Sequence, residues 1–242
     1  MNDIQTFKVE DLPNSAFIVV NSRRRSGKSI LVEFMVKKMK EAGMIDTAIL
    51  YSKTGAGFKS IPYQNRFDDV KTLPNLLNNM SHLNEYNKVL TQAGNGDKKK
   101  VKLKMALVID DFAVDLKQDK AFDFLTNLAL NGRHISYPPM SIYIFLISQS
   151  LTKIPRAVRL QADVIIFSQI ASRREQDLIL DEAFYILDGS LQGRKEGREL
   201  YNNLATSEDY IFIVIENFRE GKVKKYSDYI KVYKADIKQL KL

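Results

Sequence analysis

Five short apolar runs punctuate the chain: AFIVVN (Ala16–Asn21), TAILYS (Thr47–Ser52), MALVID (Met105–Asp110), SIYIFLIS (Ser141–Ser148) and DVIIFS (Asp163–Ser168). Their apolar positions are continuous rather than alternating. A strand with one wet face alternates; a strand covered on both faces does not. The five runs therefore predict a mostly parallel sheet buried between layers of helix. Between the first two, Lys28 to about Ala42 reads as a helix stopped by Gly43. Strand, loop, helix and strand in that order make a βαβ unit, and the fold class expected is α/β.

The other elements follow from weaker patterns. A polar stretch with Gly55, Gly57 and Pro62 predicts a loop, and Val70 to Gln92 a helix with Pro74 in an early turn or at a break. Ala121 to Leu130 predicts a helix ended by Asn131-Gly132. Ser172 with Glu175 three residues on predicts a capping box opening a helix from Arg173 to about Phe184. A short helix is expected over Lys195 to Asn203. YIFIVIE (Tyr210–Glu216) and YSDYIKVYKA (Tyr226–Ala235) flank Gly221 and predict a C-terminal hairpin. No internal repeat is visible. At 242 residues the expectation is one domain, with a core over about 16–184 and a C-terminal extension over about 190–242.

The segment joining the first strand to its helix, SRRRSGKS, changes the picture from fold to chemistry. A phosphate-binding loop curls so that successive backbone N–H groups point at the phosphates from a helix N-terminus. Its lysine reaches the β- and γ-phosphates and the following hydroxyl binds Mg²⁺. Gly27, Lys28 and Ser29 supply that end of the motif, with Ser22, Arg25, Ser26 and Ile30 completing the nucleotide contacts expected here. Ser22 stands where the usual pattern has its first glycine, and Arg23, Arg24 and Arg25 fill the middle. Serine is small and serves there if its backbone angles are not the ones reserved for glycine. The arginines either add charge near the phosphates or lie in solvent.

A second set of residues is expected at the same end of the sheet, because ligands of open α/β sheets bind at the carboxyl ends of strands. ALVIDD offers Asp110 to hold Mg²⁺ and Asp111 to polarise the water that attacks the γ-phosphate. The fourth run ends in Gln149, an amide placed to sense the γ-phosphate or orient that water.

Composition narrows the partners. Lys and Arg number 37 against 29 Asp and Glu, a net charge of +8, which favours a polyanion such as nucleic acid. Five lysines lie between Lys98 and Lys104, and the segment from Arg219 to Lys241 has eight basic against three acidic residues; each is either a DNA-facing surface or a solvated one. The absence of cysteine is compatible with a reducing compartment. The start is not that of a signal peptide, and IYIFLI is too short to span a bilayer, so no membrane partner is expected.

Taken together, SRRRSGKS, LVIDDF, NGRHIS and IFLISQSLTKIPRAVRLQADVIIFSQIASRREQDLIL resemble the FtsK–HerA superfamily of DNA-pumping P-loop ATPases, and most of all its viral genome-packaging branch. The resemblance covers about Ala16 to Phe184. It implies a RecA-like sheet with the glutamine strand between the loop strand and the acid strand, and ATP and Mg²⁺ as cofactors. It also implies a homo-oligomeric ring, pentamer or hexamer, acting on double-stranded DNA without sequence preference and docking on a capsid or vertex protein. In such rings an arginine from the neighbouring subunit stabilises charge on the γ-phosphate. Arg133 is the first candidate, Arg156 and Arg159 the next, with Arg173 and Arg174 behind them. The place implied is the host cytoplasm or viral factory, or the virion.

Four functions compete on these grounds. One is a motor driving viral DNA into a preformed capsid. A second is a cellular or mobile-element DNA-transfer motor with the same chemistry. A third is a small-molecule P-loop kinase, and a fourth a nucleotide-operated switch without turnover. Asp111 and Gln149 speak for hydrolysis, since a switch needs no positioned water.

Overall fold

Strand order in the sheet decides where the chain can hold a ligand, and here it is mixed in sequence but simple in space. The computed structural model describes residues 4–23, 25–55, 57–93, 100–111, 140–170, 172–184, 190–207, 211–218 and 224–234. Its strands are β1 (Ala16–Asn21), β2 (Thr47–Ser52), β3 (Arg66–Phe67), β4 (Lys104–Asp110), β5 (Ser141–Ser148), β6 (Val164–Phe167), β7 (Ile211–Glu216) and β8 (Ile230–Lys234). They form one eight-stranded sheet in the order β3-β2-β4-β5-β1-β6-β7-β8. Strands β1 to β6 run parallel; β7 pairs antiparallel to β6, and β8 pairs antiparallel to β7. The glutamine strand β5 lies between the acid strand β4 and the loop strand β1, as the resemblance implied.

The continuous apolar runs are explained by a core on each face of this sheet. Ile18, Val20, Val108, Phe145 and Ile147 pack under helix α1 (Lys28–Glu41). Their alternates Val19, Leu107, Ile109, Leu146 and Phe167 face the opposite layer. That layer draws on α2 (Leu73–Gln92), α3 (Arg156–Leu160), α4 (Arg173–Ile179) and α5 (Leu191–Ala205). With β1, β4 and β5 buried almost throughout, neither parity of side chain can be polar.

Helix ends match or depart from expectation for local reasons. Gly43 ends α1 with a φ of 67°, and Met44 N–H reaches back to the Met39 carbonyl, a left-handed glycine stop. Pro74 sits in the first turn of α2, where its missing N–H costs nothing. Ser172 begins α4, but no side-chain capping bond forms. Glu175 instead accepts from the Ser150 hydroxyl, so a tertiary partner displaces the local box. The helix then loosens into a π-type turn over Leu180–Phe184.

The expected C-terminal hairpin is present as β7 and β8, the second strand starting later than its pattern suggested because residues Tyr226–Asp228 form a 3-10 turn. The outer edge of β8 is covered by the N-terminal segment: Phe7 N–H donates to Val232 O, and Val232 N–H to Gln5 O. The expected helix over 121–130, Arg133 and the Gly221 turn lie outside the described residues.

Candidate nucleotide site

The loop between β1 and α1 settles the question Ser22 raised. Among the described non-glycine residues, positive φ is found at Arg25 (60°) and Asp111 (62°), so Ser22 does not occupy the glycine-only region. Its side chain is used as well. The buried hydroxyl hydrogen-bonds with Ser26 and with Ser168 at the end of β6, and its N–H donates to Ser148 O at the end of β5. Ser22 therefore ties the loop to both strands flanking β1. The left-handed residues are Arg25 and, at the cap of α1, Gly27 with φ 87°. A side chain at Arg25 costs about 1–2 kcal/mol in that conformation. Ser26 Oγ donates to Arg23 O at 2.7 Å and closes the curl. Lys28 is buried at the start of α1; Arg23 and Arg25 are exposed.

The two acids take different environments although they are adjacent. Asp110 is buried at the end of β4, in register with Ser52 of β2 and Ile147 of β5. Burial raises its pKa. The Lys28 charge opposes that rise, the neighbouring Asp111 adds to it, and a hydrogen bond from Ser52 opposes it. A desolvated carboxylate beside one ammonium is under-compensated, which suits it to a dication. Asp110 and the Ser29 hydroxyl are hard oxygen donors of the kind Mg²⁺ takes, with phosphate and water to fill the remaining positions.

Asp111 turns outward on its positive φ, anchored by its N–H to Ile147 O at 3.2 Å. Its Oδ2 accepts a hydrogen bond from Gln149 Nε2. Asp110, Asp111 and Gln149 thus stand at adjoining strand ends, and the latter two touch.

The arginines separate. Arg159 is buried, and its guanidinium grips both carboxylate oxygens of Glu182, at 2.9 and 2.7 Å, and the carbonyls of Leu151 and Ile154. That geometry speaks against a reach toward a neighbour's nucleotide: four of its five N–H donors are engaged inside the subunit. Arg156, with its side chain 76 % exposed and 4.0 Å from Glu182, remains free to project. Arg173 and Arg174 are exposed at the start of α4.

Sequence reasoning missed the contribution of β2. Ser52 Oγ donates to Asp110 Oδ2 at 3.3 Å and accepts from Gly55 N–H at 3.1 Å. Farther along, Glu33 of α1 accepts from both the N–H and the hydroxyl of Ser60, and Lys40 Nζ donates to Ser60 O. The available signal was a hydroxyl ending an apolar strand, TAILYS, as Ser148 ends the glutamine strand.

No protein-family profile matches the sequence, and no curated protein matches it. Solved structures do. The genome-packaging NTPase B204 of Sulfolobus turreted icosahedral virus 2, in complex with AMPPCP, aligns over 92 % of this chain and 99 % of its own, at 18 % identity and a TM-score of 0.55. The chain has the α/β fold of a P-loop NTPase. The pCW3 conjugation coupling protein TcpA aligns over 92 % of this chain and 60 % of its own at 14 % identity, with a TM-score of 0.62. The cytoplasmic domain of the Thermomonospora curvata type VII secretion ATPase EccC gives 15 % identity and 0.55, covering 25 % of that chain. What these matches have in common with the chain is the overall fold.

Proposed function

We propose that this chain is an ATPase that translocates double-stranded DNA, packaging a viral genome into a preformed capsid. The observation that supports it most is the strand-end group on β4, β5 and β1, with Gln149 on Asp111, carried by a chain that matches B204 over nearly its whole length. Loop N–H groups around Gly27 and the Lys28 ammonium hold the phosphates. Mg²⁺, held by Ser29 and Asp110, would neutralise phosphate charge and fix the β–γ geometry. Asp111 takes the proton of the attacking water and Gln149 orients it, once their mutual hydrogen bond opens. An arginine from the next subunit in a ring, Arg133 or Arg156, completes the charge stabilisation. The +8 surplus supports contacts to DNA phosphates, which carry no sequence information.

A conjugation-type motor is the second reading, favoured by the TM-score of 0.62 to TcpA. Both readings share a test. ATP turnover should rise on adding long duplex DNA, independently of its sequence, and the rise should fade as salt increases. Turnover indifferent to DNA, together with phosphate transfer to a nucleoside or sugar, would replace the motor by a kinase. The localisation in a host cytoplasm, viral factory or virion belongs to the packaging reading and is tested by finding the protein at assembling capsids.

A further inference from the structure

The end of β2 carries a group for which nucleotide binding by the phosphate loop assigns no role. Ser52 is buried, and its hydroxyl does two things at once: it donates to the Asp110 carboxylate and accepts from Gly55 N–H. The chain leaving β2 then returns to the other metal donor. Gly57, with φ 92°, lies so close to Ser29 that a Cβ added there would stand 3.2 Å from the Ser29 Cβ. Beyond it, Ser60 is fastened to Glu33, one helical turn past Ser29 on α1. One connection therefore touches both expected Mg²⁺ donors, Asp110 through a hydroxyl and Ser29 through a glycine without a side chain.

We infer that Ser52 is a positioning residue for metal-bound nucleotide: its hydroxyl fixes the Asp110 carboxylate and couples it to the β2 connection that closes against Ser29. The inference rests on the nucleotide reading of the loop. A carboxylate ligating a metal through one oxygen has its other oxygen available to a second partner, and such partners orient ligands. A hydroxyl that also accepts a backbone N–H has its own proton aimed, so Ser52 is preset to donate toward Asp110. Gly57 matters because any side chain there would need the left-handed region and would crowd Ser29.

The test compares affinity for a fluorescent ATP analogue in MgCl₂ and in EDTA, for wild type, Ser52→Ala, Ser52→Thr and Gly57→Ala. Loss of one hydrogen bond to a charged acceptor should weaken Mg²⁺-dependent binding of Ser52→Ala by about ten- to a hundredfold. Binding in EDTA should match wild type, and Ser52→Thr should restore the Mg²⁺ effect. Gly57→Ala should lose affinity in MgCl₂ more than in EDTA. Equal losses of Ser52→Ala in both buffers, or no loss, overturn the inference while leaving the nucleotide site standing. A wild-type chain that binds no nucleotide in either buffer overturns both.

Discussion

Replacing Arg159 by alanine separates an internal tie from a catalytic finger. The wild-type side chain makes a two-point ion pair with Glu182, with both side chains under a tenth exposed, and it also satisfies the carbonyls of Leu151 and Ile154 at the two ends of the preceding turn. Removing one partner of a buried pair costs about 3–5 kcal/mol, because the other charge stays desolvated. Arg156, 4.0 Å from Glu182 but largely in solvent, is a nearby cation able to soften the loss. The lower end, about 3 kcal/mol, is therefore expected. For a chain of this size that lowers the melting midpoint by about 6–12 °C. Arg159→Met with Glu182→Leu removes both charges and should recover part of the loss, since no charge is left uncompensated although the Leu151 and Ile154 carbonyls lose their donor. Thermal melts of the three proteins give the stabilities. Mixing each with wild type gives the activity, which should fall in proportion to the inactive fraction. An Arg159→Ala protein that melts like wild type yet poisons mixed assemblies out of proportion would refute the reasoning and return Arg159 to the role of finger.

Three further outcomes follow from the site. Lys28→Ala should abolish turnover and weaken nucleotide binding, read by ATPase assay and by titration; unchanged hydrolysis would remove the phosphate-loop assignment. Asp111→Asn should keep nucleotide affinity and lose at least about 100-fold in turnover, the usual scale for a general base. Asp110→Asn should raise the melting midpoint of the nucleotide-free protein while removing Mg²⁺-dependent binding. Burial raises the Asp110 pKa above its unfolded value, so its ionised form costs stability as pH rises from the unfolded pKa through the folded one, and the amide escapes that cost. The stabilisation should fade at pH values below the ordinary aspartate range; a destabilised amide variant at neutral pH would contradict this account.

The parallel core was legible because burial on both faces leaves a signature in the strand itself: β1, β2 and β5 have the bounds their apolar runs suggested. The loop, the acids and Gln149 were legible because strand-end chemistry follows directly from such runs. What escaped depended on contacts between distant segments. Strand β3 is two residues long, held by pairing to Leu50 and Tyr51 and by a Phe67–Tyr51 ring stack, and no periodicity marks it. Glu175 satisfied the spacing of a capping box but found Ser150 across the fold. Arg159 read as a candidate finger because its partner Glu182 lies 23 residues on and nothing in the local sequence marks the pair. Ser52 read as the polar end of a strand, because its partner Asp110 lies 58 residues away. Ser22 looked like a defect in a motif and is instead a buried tie between the loop and β6.

The most direct measurement of the central claim is a structure of the chain with Mg²⁺ and a non-hydrolysable ATP analogue. The account predicts phosphates cradled by the backbone N–H groups around Gly27, Mg²⁺ between Ser29 and Asp110, and the Asp111–Gln149 hydrogen bond opened so that both side chains address the γ-phosphate. Nucleotide bound elsewhere, or bound there with Asp111 and Gln149 still joined and no space for water beside the γ-phosphate, would contradict it.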